Sequence, residues 1–325
     1  MKLLQSQKLA FFLLFLIIFS SCKKAGEEVI ETVGKTIAKE TIETSVETGT
    51  KAVIKSLTKK EIEYAVIENG FNKAILKNVL NNLSNHEASL FVNESKFFKS
   101  NILKFNNNPD LVIAYKKIIN SESHRTNLIY LNQAENWIKN GSKGELILNV
   151  QSSNVEKKLL GTVKNDIPYI KKNIHFEGLN LSAIVPDFSK YRAFRAPSLE
   201  SVFFKSPDKV QFEICRANLR KEYLKNPKKI EEILMIQNRR FAENGGIISE
   251  GRNIIDPLEM LEKQKNDILQ KNSGKQQGRI FGFVWHHNEE VGIIDLVAYD
   301  KHNTINHIGG RNIWGGGSIA RKIKK

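Results

Sequence analysis

The chain has 325 residues, enough for one large domain or two smaller ones, and carries a formal net charge of +15. That surplus attracts polyanions, nucleic acid and anionic lipid alike, and by itself selects neither. Cys22 and Cys215 are the only cysteines, so no disulfide framework is implied.

Lys2 and Lys8 precede an unbroken apolar run from Leu9 to Phe19, followed by Ser20, Ser21 and Cys22. A basic start, an apolar stretch of about 7–15 residues and a small-residue exit describe a secretory signal peptide over residues 1–21. The run falls short of the roughly 20 residues that a spanning helix needs. Cys22 directly after the serines resembles the bacterial lipobox. That resemblance implies lipidation of Cys22, attachment to a membrane through the lipid, and residence in the cell envelope. The alternative is an ordinary signal peptide that happens to contain a cysteine.

Residues 22–60 are rich in Thr, Glu and Lys. Val29, Val33 and Ile37, then Ile42, Val46, Val53 and Leu57, fall at spacings of four and seven within each group, which suits an amphipathic helix; a solvated tether is the other reading. Residues 61–174 read as a mainly helical region of unknown role. Pro109 and Asp110 fit the first turn of one helix, and a second is predicted over 126–139, ending at Asn140-Gly141. Glu145 to Val150 is a candidate strand. His86, His124 and His175 stand without partners at ligand spacing and read as surface or satisfied core residues.

From 175 onward three further helices are predicted, over 210–225, from Pro227 to before Gly245-Gly246, and after Asp256. The last has Asp256 as N-cap, Pro257 at the first position, Glu259 closing a capping box and Gly274 past the end. Residues 201–325 hold 22 Lys+Arg against 15 Asp+Glu. Lys225, Lys228, Lys229, Arg239 and Arg240 are therefore either a solvated face or phosphate contacts.

Four of the seven histidines, His286, His287, His302 and His307, lie within 22 residues. Ile280 to His287 is β-rich, with Phe281, Phe283 and Trp285 alternating on one face. A Glu-Glu-Val-Gly turn leads to a second strand, Ile293 to Val297, and Asp300 is placed to cap a short helix ending at Gly309. The expected fold is α+β: a mostly helical body with a C-terminal ββα-metal module, its core at about 280–310 within a domain of 175–325. Imidazoles bind divalent transition metals through neutral nitrogens, and a further histidine near its ordinary pKa can accept a proton from water. The pattern suits metal-assisted phosphodiester hydrolysis.

Trp-His-His, fourteen residues, His, four residues, then His-x-Gly-Gly-Arg-x-x-Trp is similar to the WHH branch of the HNH/endonuclease VII nuclease superfamily, often found as the C-terminal toxin tip of bacterial polymorphic toxins. The close match covers Phe283 to Gly317, with a weaker echo at Pro186-Asp187-Phe188-Ser189. The resemblance implies that His286 is a metal ligand at the catalytic centre, His287 the general base and His307 a helix-borne ligand. His302 is either a third ligand or the residue that orients the base. Arg311 and Lys301 are expected to contact nucleic acid. One divalent ion (Mg, Mn, Zn or Ni) is the expected cofactor, with DNA, or RNA, as substrate and an immunity protein as a possible partner. The sequence departs from the family at Ala298-Tyr299, where a proline often follows the second strand.

Two geometrical constraints accompany these roles. Residues five apart on a helix point about 140° apart, so His302 and His307 cannot both face one metal from a regular helix. His286 and His287, adjacent on a strand, point to opposite faces if the strand is regular. The rival to an enzyme is a non-catalytic surface lipoprotein whose histidines hold a structural or scavenged metal. Trp285 and Trp314 are expected in the core.

Overall fold

In the computed structural model, residues 57–125, 127–244, 256–270, 278–315 and 317 are described. The expected signal peptide, the lipidation site Cys22 and nearly all of the 22–60 segment lie outside these residues, as does Gly274. No helix among the described residues is long and apolar enough to cross a membrane.

The described chain is α+β. It opens with helices α1 (Lys59–Glu68), α2 (Lys73–Asn82) and α3 (Asn85–Glu94), then a 3₁₀ segment (Ser95–Asn101), α4 (Ile102–Asn107), α5 (Asp110–Asn120) and α6 (Leu128–Lys139). Polar side chains set the starts. Thr58 with Glu61 and Ser84 with Glu87 form capping boxes on α1 and α3, and Asn72 and Asn127 cap α2 and α6. Phe71, Phe91, Phe98, Phe105 and Tyr115 pack with ring centroids 5.3 to 6.4 Å apart, giving these short helices a shared aromatic centre.

A four-stranded sheet follows, β1 (Ile147–Asn149), β2 (Val163–Lys164), β3 (Ile167–Phe176) and β4 (Leu179–Pro186), in spatial order β1-β4-β3-β2, with α7 (Ser153–Leu159) between β1 and β2. β3 and β4 form a hairpin in which Phe176 faces Leu179 across Glu177-Gly178. Both turn residues have positive φ, the two-residue geometry that matches strand twist. The boundary expected at 174/175 therefore falls inside β3. The two expected domains are also joined inside: one hydrophobic core runs without a break from Ile62 on α1 to Trp314. His124, buried after α5, donates from Nε2 to Ile313 O (2.8 Å), a satisfied core histidine that ties the helical body to the C-terminal end.

The second sheet has three antiparallel strands in order β5-β7-β6: β5 (Arg192–Arg195), β6 (Phe283–His287) and β7 (Ile294–Ala298). Between β5 and β6 lie α8 (Asp208–Lys225), α9 (Pro227–Glu243) and α10 (Pro257–Leu269), close to their predicted spans. Asp256 caps α10 through the Leu258 and Glu259 N–H groups, but Glu259 does not complete a box; it pairs with Lys263 at 2.7 Å instead. Two short helices, α11 (Tyr299–Asn303) and α12 (Gly310–Ile313), finish the described chain.

Candidate metal centre

β6 and β7 are in register from Phe283–Ala298 to His287–Ile294, and the reversing turn contains Gly292 at φ +77°. Beyond the strand, Asn288 donates from Nδ2 to Asp295 Oδ2 (2.9 Å), while Arg195 grips the same carboxylate through Nε at 2.9 Å and Nη2 at 3.2 Å. This buried network fixes the end of the hairpin from which the two adjacent histidines project.

His286 turns to one side. Its Nδ1 stands 3.2 Å from His302 Nε2 and 3.2 Å from His307 Nε2. One candidate ligand nitrogen from each of the three rings falls within 4.8 Å of the others. His302 lies on α11, which begins directly after β7 with Asp300 in its first turn rather than at the N-cap. The expectation of a helix running to Gly309 is corrected here, and with it the reading of His307 as helix-borne. α11 stops at Asn303, buried Ile305 anchors the chain, and His307 returns to the site from a loop. The break in the helix removes the angular conflict between residues five apart. In the loop, His307 Nδ1 donates to Ile305 O (2.9 Å), which leaves the lone pair on Nε2 aimed at His286.

Burial lowers the pKa of all three rings: His286 well below the ordinary histidine value, with His307, His302 and His287 adding repulsion; His302 to about 4; His307 more modestly. Neutral imidazoles with converging lone pairs are the state a divalent cation requires. Nitrogens about 2.0–2.1 Å from a tetrahedral zinc stand roughly 3.3 Å apart, close to the two observed separations. The residues present fit a metal ion. Phe188 packs against all three rings, centroids 4.9 Å from His286 and 5.4 Å from His302 and His307.

His287 turns to the opposite side, as strand alternation requires. The structure does not bring its ring into the three-histidine cluster. Its Nε2 lies 2.6 Å from Gln211 Oε1 and 3.8 Å from Asp208 Oδ1, and its ring packs between Phe212 and Trp314. Trp314 is buried, as is Trp285, and its Nε1 donates to Asn288 O. Gly310 is wedged beneath the same carbonyl: an added Cβ would lie 1.8 Å from Asn288 O.

The two basic residues expected on nucleic acid are placed otherwise. Arg311 is 2 % exposed, and its guanidinium is engaged internally by Ser206 O, Gln211 Oε1 and the Asp208 carboxylate, 3.1 to 3.2 Å away. Lys301 is also buried, with its ammonium 4.9 Å above the Tyr191 ring. Both are corrected from phosphate contacts to parts of the scaffold, because each basic group finds its partner inside the fold. Phe188 could be found through the Pro-Asp-Phe-Ser echo. Asp208 and Gln211, on α8, carried no motif.

Residues 276–317 match the model of the WHH family, described as a nuclease of the HNH/ENDO VII superfamily with conserved WHH. Searches of curated proteins and of solved structures find no match to the chain. The C-terminal part of the chain is thus a WHH domain, and its superfamily is one of nucleases, whose substrate is nucleic acid.

Proposed function

We propose that the protein is a metal-dependent endonuclease that hydrolyses phosphodiester bonds of DNA. The observation that carries this reading is the convergence of His286, His302 and His307, kept neutral by burial, inside the WHH segment. These three residues would hold one divalent ion, and an all-imidazole donor set favours zinc or nickel over magnesium. When bound, such an ion supplies a Lewis acid for the scissile phosphate and the leaving oxygen. His287, next to a ligand but held on the other side of β6, is the general base that takes a proton from attacking water. The net charge of +15 provides a hold on phosphate without sequence reading.

The same reading extends to the whole chain as an envelope-tethered toxin. Residues 1–21 would direct export, lipid on Cys22 would anchor the product, and an acidic immunity protein would shield the producer.

The deciding experiment incubates the purified chain with plasmid DNA and, separately, RNA, in Zn²⁺, Ni²⁺, Mn²⁺, Mg²⁺ or EDTA. Metal-dependent DNA cleavage that His302→Ala abolishes is expected. Metal binding without cleavage of either polymer would replace the enzyme by a structural metal site, and RNA cleavage alone would change the substrate.

A further inference from the structure

Gln211 lies on α8, seventy-six positions before His287, and is fully buried. Its Nε2 is 2.7 Å from Phe203 O and 2.8 Å from Phe204 O. Carbonyl oxygens only accept, so this end of the amide is the NH₂ group. Oε1 is then the end that meets His287 Nε2 at 2.6 Å and Arg311 Nη1 at 3.1 Å. A guanidinium only donates, so the arginine independently requires the same orientation. An amide oxygen has no hydrogen to give, and the proton in the short contact therefore sits on His287 Nε2. The Asp208 carboxylate, 3.8 Å from that nitrogen, puts negative charge on the same side. A neutral imidazole has one N–H, so its basic lone pair is on Nδ1.

We propose that Gln211 is a positioning residue for hydrolysis: it locks His287 as the Nε2–H tautomer and makes Nδ1 the proton acceptor, while Arg311 holds the glutamine oxygen in place. This rests on His287 acting as the general base. It also gives buried Arg311 a function, as support for the base rather than as a contact to substrate.

Long-range ¹H–¹⁵N correlation spectra of the histidine rings in the full chain, recorded in EDTA, test the lock directly. His287 is expected with hydrogen on Nε2; hydrogen on Nδ1 overturns the proposal. Gln211→Met keeps the length but removes the acceptor. His287 should then populate both tautomers, and kcat on a labelled DNA duplex with Zn²⁺ should fall about tenfold or more, within the roughly 10²–10⁴-fold that a general base supplies. KM and calorimetric Zn²⁺ affinity should stay unchanged. Unchanged kcat with a mixed tautomer overturns the catalytic consequence. Should this variant not fold, the wild-type spectrum decides alone. His287→Ala with full activity would instead refute the base, a failure of the functional reading that the tautomer measurement does not share.

Discussion

The two faces of β6 treat two identical side chains in opposite ways. On one, His286 meets two other imidazoles whose nitrogens converge, and burial keeps the group uncharged. On the other, His287 meets an amide oxygen, a carboxylate and an arginine that together dictate where its proton sits. The first environment lacks a positive charge at its centre; the second is already satisfied by protein groups. Chemistry at adjacent residues is thus divided by strand alternation and by what each face happens to meet.

That division predicts separable losses. His287→Ala should slow hydrolysis by roughly 10²–10⁴-fold, the usual span for general-base catalysis, while calorimetric Zn²⁺ affinity stays near wild type. An equal loss of affinity would erase the distinction between the faces. His302→Ala and His307→Ala should each weaken Zn²⁺ binding by about a hundredfold or more, since losing even an outer partner of a ligand costs roughly 10–100-fold. If either variant binds Zn²⁺ as the wild type does, that residue is not a ligand.

The support between the faces can be tested by stability. Gly310→Ala would drive a methyl group into Asn288 O, at the end of the hairpin, and should destabilise the fold by about 1–3 kcal/mol in denaturant titration. A midpoint equal to wild type would show that the α12 junction tolerates displacement.

The smallest effect concerns His124, a third way of treating a buried histidine. Burial lowers its pKa, and the bond to Ile313 O only partly opposes this. The unfolded chain therefore takes up its proton before the folded chain does, and stability should fall as pH drops below the ordinary histidine value of about 6.5. In EDTA, His124→Gln should lose less stability than wild type between pH 7 and pH 5. Equal losses would assign the pH dependence to other groups.

Much of the local structure was legible. The capping of α10 by Asp256 and Pro257, the periodic face of α5 and the ββ hairpin with its histidine-bearing strand all depend on residues a few positions apart. Opposite faces for His286 and His287 also followed from strand periodicity alone. The length of α11 was not legible, because ending it at Asn303 depends on where Ile305 finds a buried place. Nor was the unity of the core, since the helices of 59–139 and the WHH segment read as separate bodies until their apolar faces are seen to meet.

By itself, then, the sequence determined the elements, the WHH spacing and the four histidines from which the site is drawn, through periodicities and caps that act within one or two turns. Tertiary structure alone decided that His307 reaches the cluster from a loop, that Phe188 lies against the ligand rings, and that Arg311 and Lys301 serve the scaffold. The reason is physical: a charged side chain is buried or exposed according to partners such as Ser206 and Gln211, about a hundred residues away. No local pattern encodes that distance.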